Sequence, residues 1–218
     1  MKIYGKLVTG IGFVVLMLMG VVAFVAHQAV TIVSYRGLYT DAVIMLNSWD
    51  EVQINTQSIL LVNEELPSLE KKWKASIVSF QESLDKVENH PGFASLGQEV
   101  SERLTNTRNL WKLSSDHIDL SAQALTEFQE LVVPKYPSLK GTMGDGLVNK
   151  VYRLQADGSL PIDDFFYFHT LSTALQRVLV SNDSFRLVLD RMLDGIEAQV
   201  NVVVQRSIIL GILFSFIA

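Results

Sequence analysis

From Leu7 to Ala26 the chain reads LVTGIGFVVLMLMGVVAFVA, with Thr9 and three glycines the only positions that are not plainly apolar. A helix of about 20 such residues, rising ~1.5 Å each, spans the ~30 Å hydrocarbon core of a bilayer. No charged residue lies between Lys6 and Arg36, and the run is too long for the apolar core of a signal peptide, so it reads as a retained membrane anchor. A second apolar run, Ser207 to Ala218 (SIILGILFSFIA), begins directly after Arg206. About 12 residues give only ~18 Å of helix, so this run reads as the start of a second transmembrane helix that the given chain cuts short. Between the two runs the pattern changes to helical amphipathicity with almost no strand signal.

Leu38, Ala42, Met45, Trp49, Val52, Thr56, Ile59 and Asn63 recur at spacings of four and three, the seam of a helix packed on partners. No proline or glycine interrupts Leu38 to Leu66. The anchor is expected to continue into this segment as one long helix, with Gly37 its weak point. Glu64, Glu65 and Pro67 make a turn, and Ser68 is placed to cap a second helix with Leu69, Trp73, Ile77, Phe80, Leu84 and Val87 on one face. Asn89-His-Pro-Gly92 ends it. A third helix is expected over about Ser95 to Val132, stopped by Pro134 and Pro137, followed by an irregular stretch with a short helix around Leu147 to Leu154. The glycine-rich Gly141 to Gly146 reads as a flexible connection. The last helix starts after Pro161, with Asp163 and Asp164 suited to its positive end. Its seam of Phe168, Leu171, Leu175, Val178, Asn182, Phe185, Leu189, Met192 and Ile196 is expected to run unbroken into the second span. The fold class is therefore all-α, an antiparallel four-helix bundle continuous with two transmembrane helices, the second truncated.

Charge then orients the chain. Lys2 and Lys6 precede the first span with no acid nearby, which places the N-terminus in the cytoplasm. Residues 1–6 are cytoplasmic, 7–30 form the first transmembrane helix, 31–206 an extracytoplasmic helical sensor domain, and 207–218 the start of the second span, in the inner (cytoplasmic) membrane. The outer domain holds all 23 acidic residues against 16 of the 18 basic ones, a net charge of −7. That sign disfavours nucleic acid and anionic lipid headgroups as its partners, leaving membrane lipid to the two spans. There is no cysteine, which fits an oxidising compartment without proving one.

The residues offer little chemistry. His27, His90, His117 and His169 are scattered without a second ligand at helical spacing. Gly141 to Gly146 lacks the Lys-Ser/Thr ending of a phosphate loop. Asp190 and Asp194 miss the alternate-residue spacing of a calcium loop, and no nucleophile and base can be paired. The reading is no enzyme, no metal and no cofactor. Phe165-Phe-Tyr-Phe168 is expected to cap the bundle rather than wall a pocket.

The opening Lys6-Leu-Val-Thr-Gly10-Ile-Gly12-Phe13 and its aliphatic run, a helical outer domain of this length and a second span together resemble the sensory half of bacterial transmembrane receptors, especially methyl-accepting chemotaxis proteins. The resemblance implies a homodimer that binds a small molecule, or a periplasmic binding protein carrying one, and passes the signal through the spans. The same opening is similar to that of membrane sensor histidine kinases, so the input domain of such a kinase or of a nucleotide cyclase is the alternative. A structural membrane protein that only oligomerises is a third reading.

Where a ligand would sit follows from counting residues along the rods. If the first helix leaves the membrane near Thr31 and the last returns near Arg206, Asn182 lies level with Asn55 and Thr56, and Arg186 with Glu51. Both mostly apolar seams turn polar at this layer, about 36 Å from the membrane. Asn182 and Thr56 could bond each other to fix register, with Glu51 and Arg186 a surface ion pair. In the sharper reading Asn55, Thr56, Asn182, Arg186 and Arg177 line a polar cavity for an anionic or amino-acid-like ligand.

Overall fold

The computed structural model describes residues 2–93, 97–140 and 146–217, and the side chains of 2–10, 182, 183 and 213–217 lie outside that description. Its elements are α1 (Lys2–Leu61), α2 (Leu66–Glu88), α3 (Gln98–Leu131), α4 (Leu147–Ala156), α5 (Ile162–Val180) and α6 (Asn182–Ile217), with single 3-10 turns at Val133–Lys135 and Pro137–Leu139. No strand occurs among the described residues.

The 60-residue α1 is unbroken, about 90 Å at helical rise. It passes through Gly37, whose bare face is covered by the His90 ring at the end of α2. Its N-terminal half carries side chains that nothing covers: Ile11, Phe13, Leu16, Met19 and Val22 are 58% to 69% exposed. Among the described residues α1 is the one helix long and apolar enough to cross a membrane, with an 18-residue window of mean hydropathy 2.2 and none of it buried. Ile208, Ile209 and Ile212 near the end of α6 are likewise more than half exposed.

Two boundaries differ from the sequence expectation. Pro67 does not make the turn before α2; it stands in the first turn of the helix, where a missing N–H costs nothing. Ser68 does not cap: its hydroxyl donates to Glu64 Oε1 at 2.5 Å. With the Lys72 ammonium donating as well, and foremost, the Glu64 carboxyl is held below its ordinary pKa. The second difference is larger. The run after Pro161 is not continuous but is interrupted at Ser181, between α5 and α6. The Ser181 hydroxyl donates to the Val178 carbonyl at 2.8 Å, a local bond that competes with the helical ladder. For α3, the expected start at Ser95 lies outside the described residues.

The helices meet at a layer of rings. Trp49 of α1 touches Phe185 of α6 (centroids 4.5 Å apart) and Phe80 of α2 (5.3 Å), while Phe80 touches Trp111 of α3 at 4.7 Å. The edge-on and tilted geometries add about 0.5–1.5 kcal/mol per pair beyond burial. Contacts step down α2 as they step up α1: Asp41 pairs with Lys86, Ser48 with Ser83, Trp49 with Phe80, and Thr56 with Trp73. Along α6 the same holds, with Gln28 meeting Ser207 and Asp50 meeting Arg186. Arg108 ties α3 to α2 through Asp85 (2.7 Å) and Glu88. Burial opposes its charge, but these two partners outweigh it and hold the guanidinium above its ordinary pKa.

At the far end from the apolar termini, Phe168 packs among Phe128, Phe165 and Tyr152 at about 6 Å, so this part of the aromatic run caps the core beneath α4. Asp164, 7% exposed, accepts from Lys135 Nζ at 2.6 Å and from the Tyr136 hydroxyl at 2.7 Å. That anchors the start of α5 to the turns after α3. Gly146, at the end of the glycine-rich stretch, is closely packed: a Cβ there would run into the Leu61 carbonyl. Residues 141–145 of that stretch lie outside the described residues.

Candidate functional site

One turn beyond each ring of the aromatic layer, on the side away from the apolar ends, the core turns polar. Gln53 follows Trp49, Ser76 precedes Phe80, Ser114 follows Trp111, and the interruption at Ser181 precedes Phe185. Gln53, Ser76 and Ser114 are buried. Ser76 spends its hydroxyl on the Trp73 carbonyl. Gln53 has no such outlet: both its amide nitrogen and its amide oxygen are enclosed without a hydrogen-bond partner. An enclosed, unbonded polar group costs about 1–3 kcal/mol.

At the same level a groove opens between α3 and the α5–α6 junction, with a volume of about 680 Å³. Its origin is legible in the small residues that face α5 and α6 from α3, Thr107, Ser114, Ser121 and Ala124, all buried. They let the backbones approach and leave the larger side chains to flank the seam. Leu110, Leu113 and His117 form one wall; Gln176, Arg177 and Val180 form the other, with Ser114, Ser181 and Ser184 also in the lining. Farther from the apolar ends a second cavity of about 350 Å³ shares Thr173 and Arg177 with the first and runs on past Leu120, Glu127, Phe166 and His169. His117 Nδ1 is enclosed without a partner. Arg177, at the last turn of α5, is exposed; its carbonyl accepts from the Ser181 N–H, and no hydrogen bond or ion pair engages its guanidinium among the described residues. Glu127 stands at the other end of the paired cavities, bonded to Gln123 at 2.9 Å.

Of the five residues singled out from the sequence, the described side chains occupy different places. Arg177 lines the groove. Thr56 is fully buried on the α2 side of α1, donating to the Val52 carbonyl at 2.7 Å and accepting from Trp73 Nε1 at 2.9 Å. Its hydroxyl therefore serves the core between α1 and α2. Asn55 beside it is half-buried. Arg186 lies level with α1 as counted, but pairs with Asp50 at 2.7 Å and more loosely with Asp190 at 3.9 Å, rather than with Glu51. Asn182 begins α6, and its side chain lies outside the described residues. Sequence reading passed over Gln53, which sits on a second seam of α1 with Trp49, Thr56 and Leu60, and weighed His117 only as a metal ligand. A search for polar residues on both seams of α1, rather than one, would have found Gln53.

No group of three or more His, Asp or Glu able to hold a metal occurs among the described residues. Comparison of the chain with protein-family models, with curated proteins and with solved structures gives no match.

Proposed function

We propose that the chain is the ligand-sensing input half of a bacterial transmembrane receptor of the chemoreceptor kind, an antiparallel four-helix bundle whose first and last helices run into the inner membrane. One observation carries this reading: α1 and α6 bring their exposed apolar segments out at the same end of the helical domain, side by side, where the Ser207 hydroxyl donates to Gln28 Oε1 at 2.5 Å. Uncovered apolar surface on this scale is costly in water and natural in lipid. An unbroken α1 and an α6 uninterrupted from Asn182 to Ile217 give two stiff rods through which a shift of order 1–2 Å travels, the scale on which packed helices slide.

A single residue, Ser181, stands between the last two helices. It separates α5, anchored at the far end through Asp164, from α6, which leads to the membrane. Gly195, within α6, is closed in by Arg103 and Val100 of α3. A ligand bound against the α5–α6 junction would then displace α6 relative to α1. Fusing residues 1–218 to the signalling half of a chemoreceptor tests the proposal. The fusion should fractionate with the inner membrane and change its output with some member of a small-molecule panel. Inserting Gly-Gly after Arg206 should abolish the response without lowering the melting temperature of the helical domain. A soluble fusion, or a response that survives the insertion, refutes it.

A further inference from the structure

We infer that the α3/α5–α6 groove binds a monocarboxylate with an apolar tail, its carboxylate on Arg177; this rests on the receptor reading above and names the ligand class of that receptor. Three features of the lining set the class. First, Arg177 is the lone Lys or Arg of both cavities and is engaged by no other described side chain, so its planar donors are available for a bidentate carboxylate. Second, the wall beside it is apolar and bare: Val180 is 80% exposed and Leu113 61%, with Leu110 between the helices. A ligand that covered this surface would gain from both partners. Third, the continuation past Arg177 ends at Glu127, within a domain of net negative charge, so a second carboxylate on the ligand would meet repulsion rather than a second cation.

Size and position narrow it further. The main groove, about 680 Å³, falls in the range of small-molecule sites and is too small for a protein partner. Arg177 stands about 44 Å along the helix from Arg206, well beyond a lipid headgroup lying at the membrane face. Ser181 and Ser184 flank the helix interruption and line the same groove, so the occupant touches the junction whose position the signal depends on. Gln53, one turn beyond Trp49 on α1, and His117 in the groove wall are the residues whose enclosed side-chain polar atoms lack a partner among the described residues.

The test uses residues 1–218 in detergent micelles, titrated calorimetrically with hexanoate and phenylacetate, and with hexanol, hexylamine and succinate as comparisons. The two monocarboxylates should bind at one site per chain, at least about tenfold more tightly than the alcohol, the amine or the dicarboxylate. Arg177→Ala should weaken them by about tenfold or more, as loss of a charge-assisted pair does, and Val180→Asp should do the same. Arg186→Ala, whose guanidinium is already paired with Asp50, should leave binding within about twofold. Both Arg177 and Val180 are exposed, and thermal melts should show the variants folded. No monocarboxylate binding at millimolar concentration, tighter binding of succinate, or binding indifferent to Arg177→Ala overturns the inference. If the receptor fusion answers other compounds while carboxylates neither bind nor act, the ligand class is wrong and the receptor reading stands. If carboxylates bind through Arg177 and the fusion stays silent to everything, the site stands and the receptor reading falls.

Discussion

Replacing Gln53 by leucine should make the protein more stable. The side chain is 8% exposed, and neither amide atom has a hydrogen-bond partner among the described residues, so folding removes two polar groups from water without a protein bond to replace it. The cost of one such group is about 1–3 kcal/mol. Leucine is close in volume, carries no polar atom, and stands one turn from Trp49 and Phe185, whose rings are 4.5 Å apart. Partial adjustment of the glutamine in solution reduces the gain, so about 1–3 kcal/mol is expected in total rather than for each atom. For a chain of this size that raises the melting temperature by about 2–4 °C per kcal/mol. Circular dichroism melts of wild type, Gln53→Leu and Gln53→Ala in the same micelles measure it. The alanine variant separates the two contributions, since it removes the amide but leaves a cavity, and should fall below the leucine variant. A leucine variant that melts lower than wild type refutes the reasoning, because the amide must then be bonded in solution, for example through an enclosed water. In the receptor fusion the more stable leucine variant should respond more weakly, since it stiffens the layer under the groove.

Gly146→Ala should destabilise by about 1–3 kcal/mol, the usual cost of forcing atoms into a packed site, because its Cβ would lie 2.3 Å from the Leu61 oxygen and 2.5 Å from the Leu61 carbonyl carbon. Gly97→Ala, whose Cβ has Gln199 Nε2 at 3.7 Å as its nearest neighbour, should be tolerated in the same melt, and equal losses would refute the close-approach explanation. Asp164→Asn should cost about 2 kcal/mol at neutral pH by weakening the bonds from Lys135 and Tyr136. The pKa of Asp164 is lowered by Lys135 above all, against some desolvation, and then by Tyr136. Its stabilisation is therefore present above the ordinary aspartate value of 3.8 and is lost as pH falls through the depressed folded value. Wild type and Asp164→Asn should converge only below about pH 4, and convergence near pH 6 would contradict the assignment. Single cysteines at Ile44, Ile54 and Leu61, which are 46%, 62% and 57% exposed on one outer face of α1, should crosslink two copies in membranes with a helical period; no crosslink at any of them would remove this face as a dimer contact.

The helices were legible in the sequence because their seams are long and regular. The stripe from Leu38 through Val52 to Ile59, and that from Phe168 to Ile196, leave few ways to be buried, and the turn residues Asn89 to Gly92 and Pro134 stop elements where local chemistry demands it. What escaped the reading was local detail that periodicity does not encode. Ser181 carries no breaker signal and the apolar seam runs straight through it, yet α5 ends at Val180 and α6 begins at Asn182. Pro67 looked like a turn and is a helix start, since proline suits both positions and only the packing of Leu66 against the core chooses between them.

The polar layer shows the same division between level and direction. Equal rise along paired helices placed Arg186 within one residue of its partner on α1, because height depends only on counting. Which way each side chain faces depends on rotation about the axis, and a change of one residue turns a side chain by about 100°. Thr56, placed at the polar layer by height, faces α2 and is bonded to Trp73, while Arg177, expected one helical stretch above that layer, lines the groove against α3. The groove lies on the flank where α3 meets the α5–α6 junction, with Ser114 of α3 in its lining. The signal for it was the run of small buried residues at helical spacing, Thr107, Ser114, Ser121 and Ala124, rather than the polar positions of the larger seams.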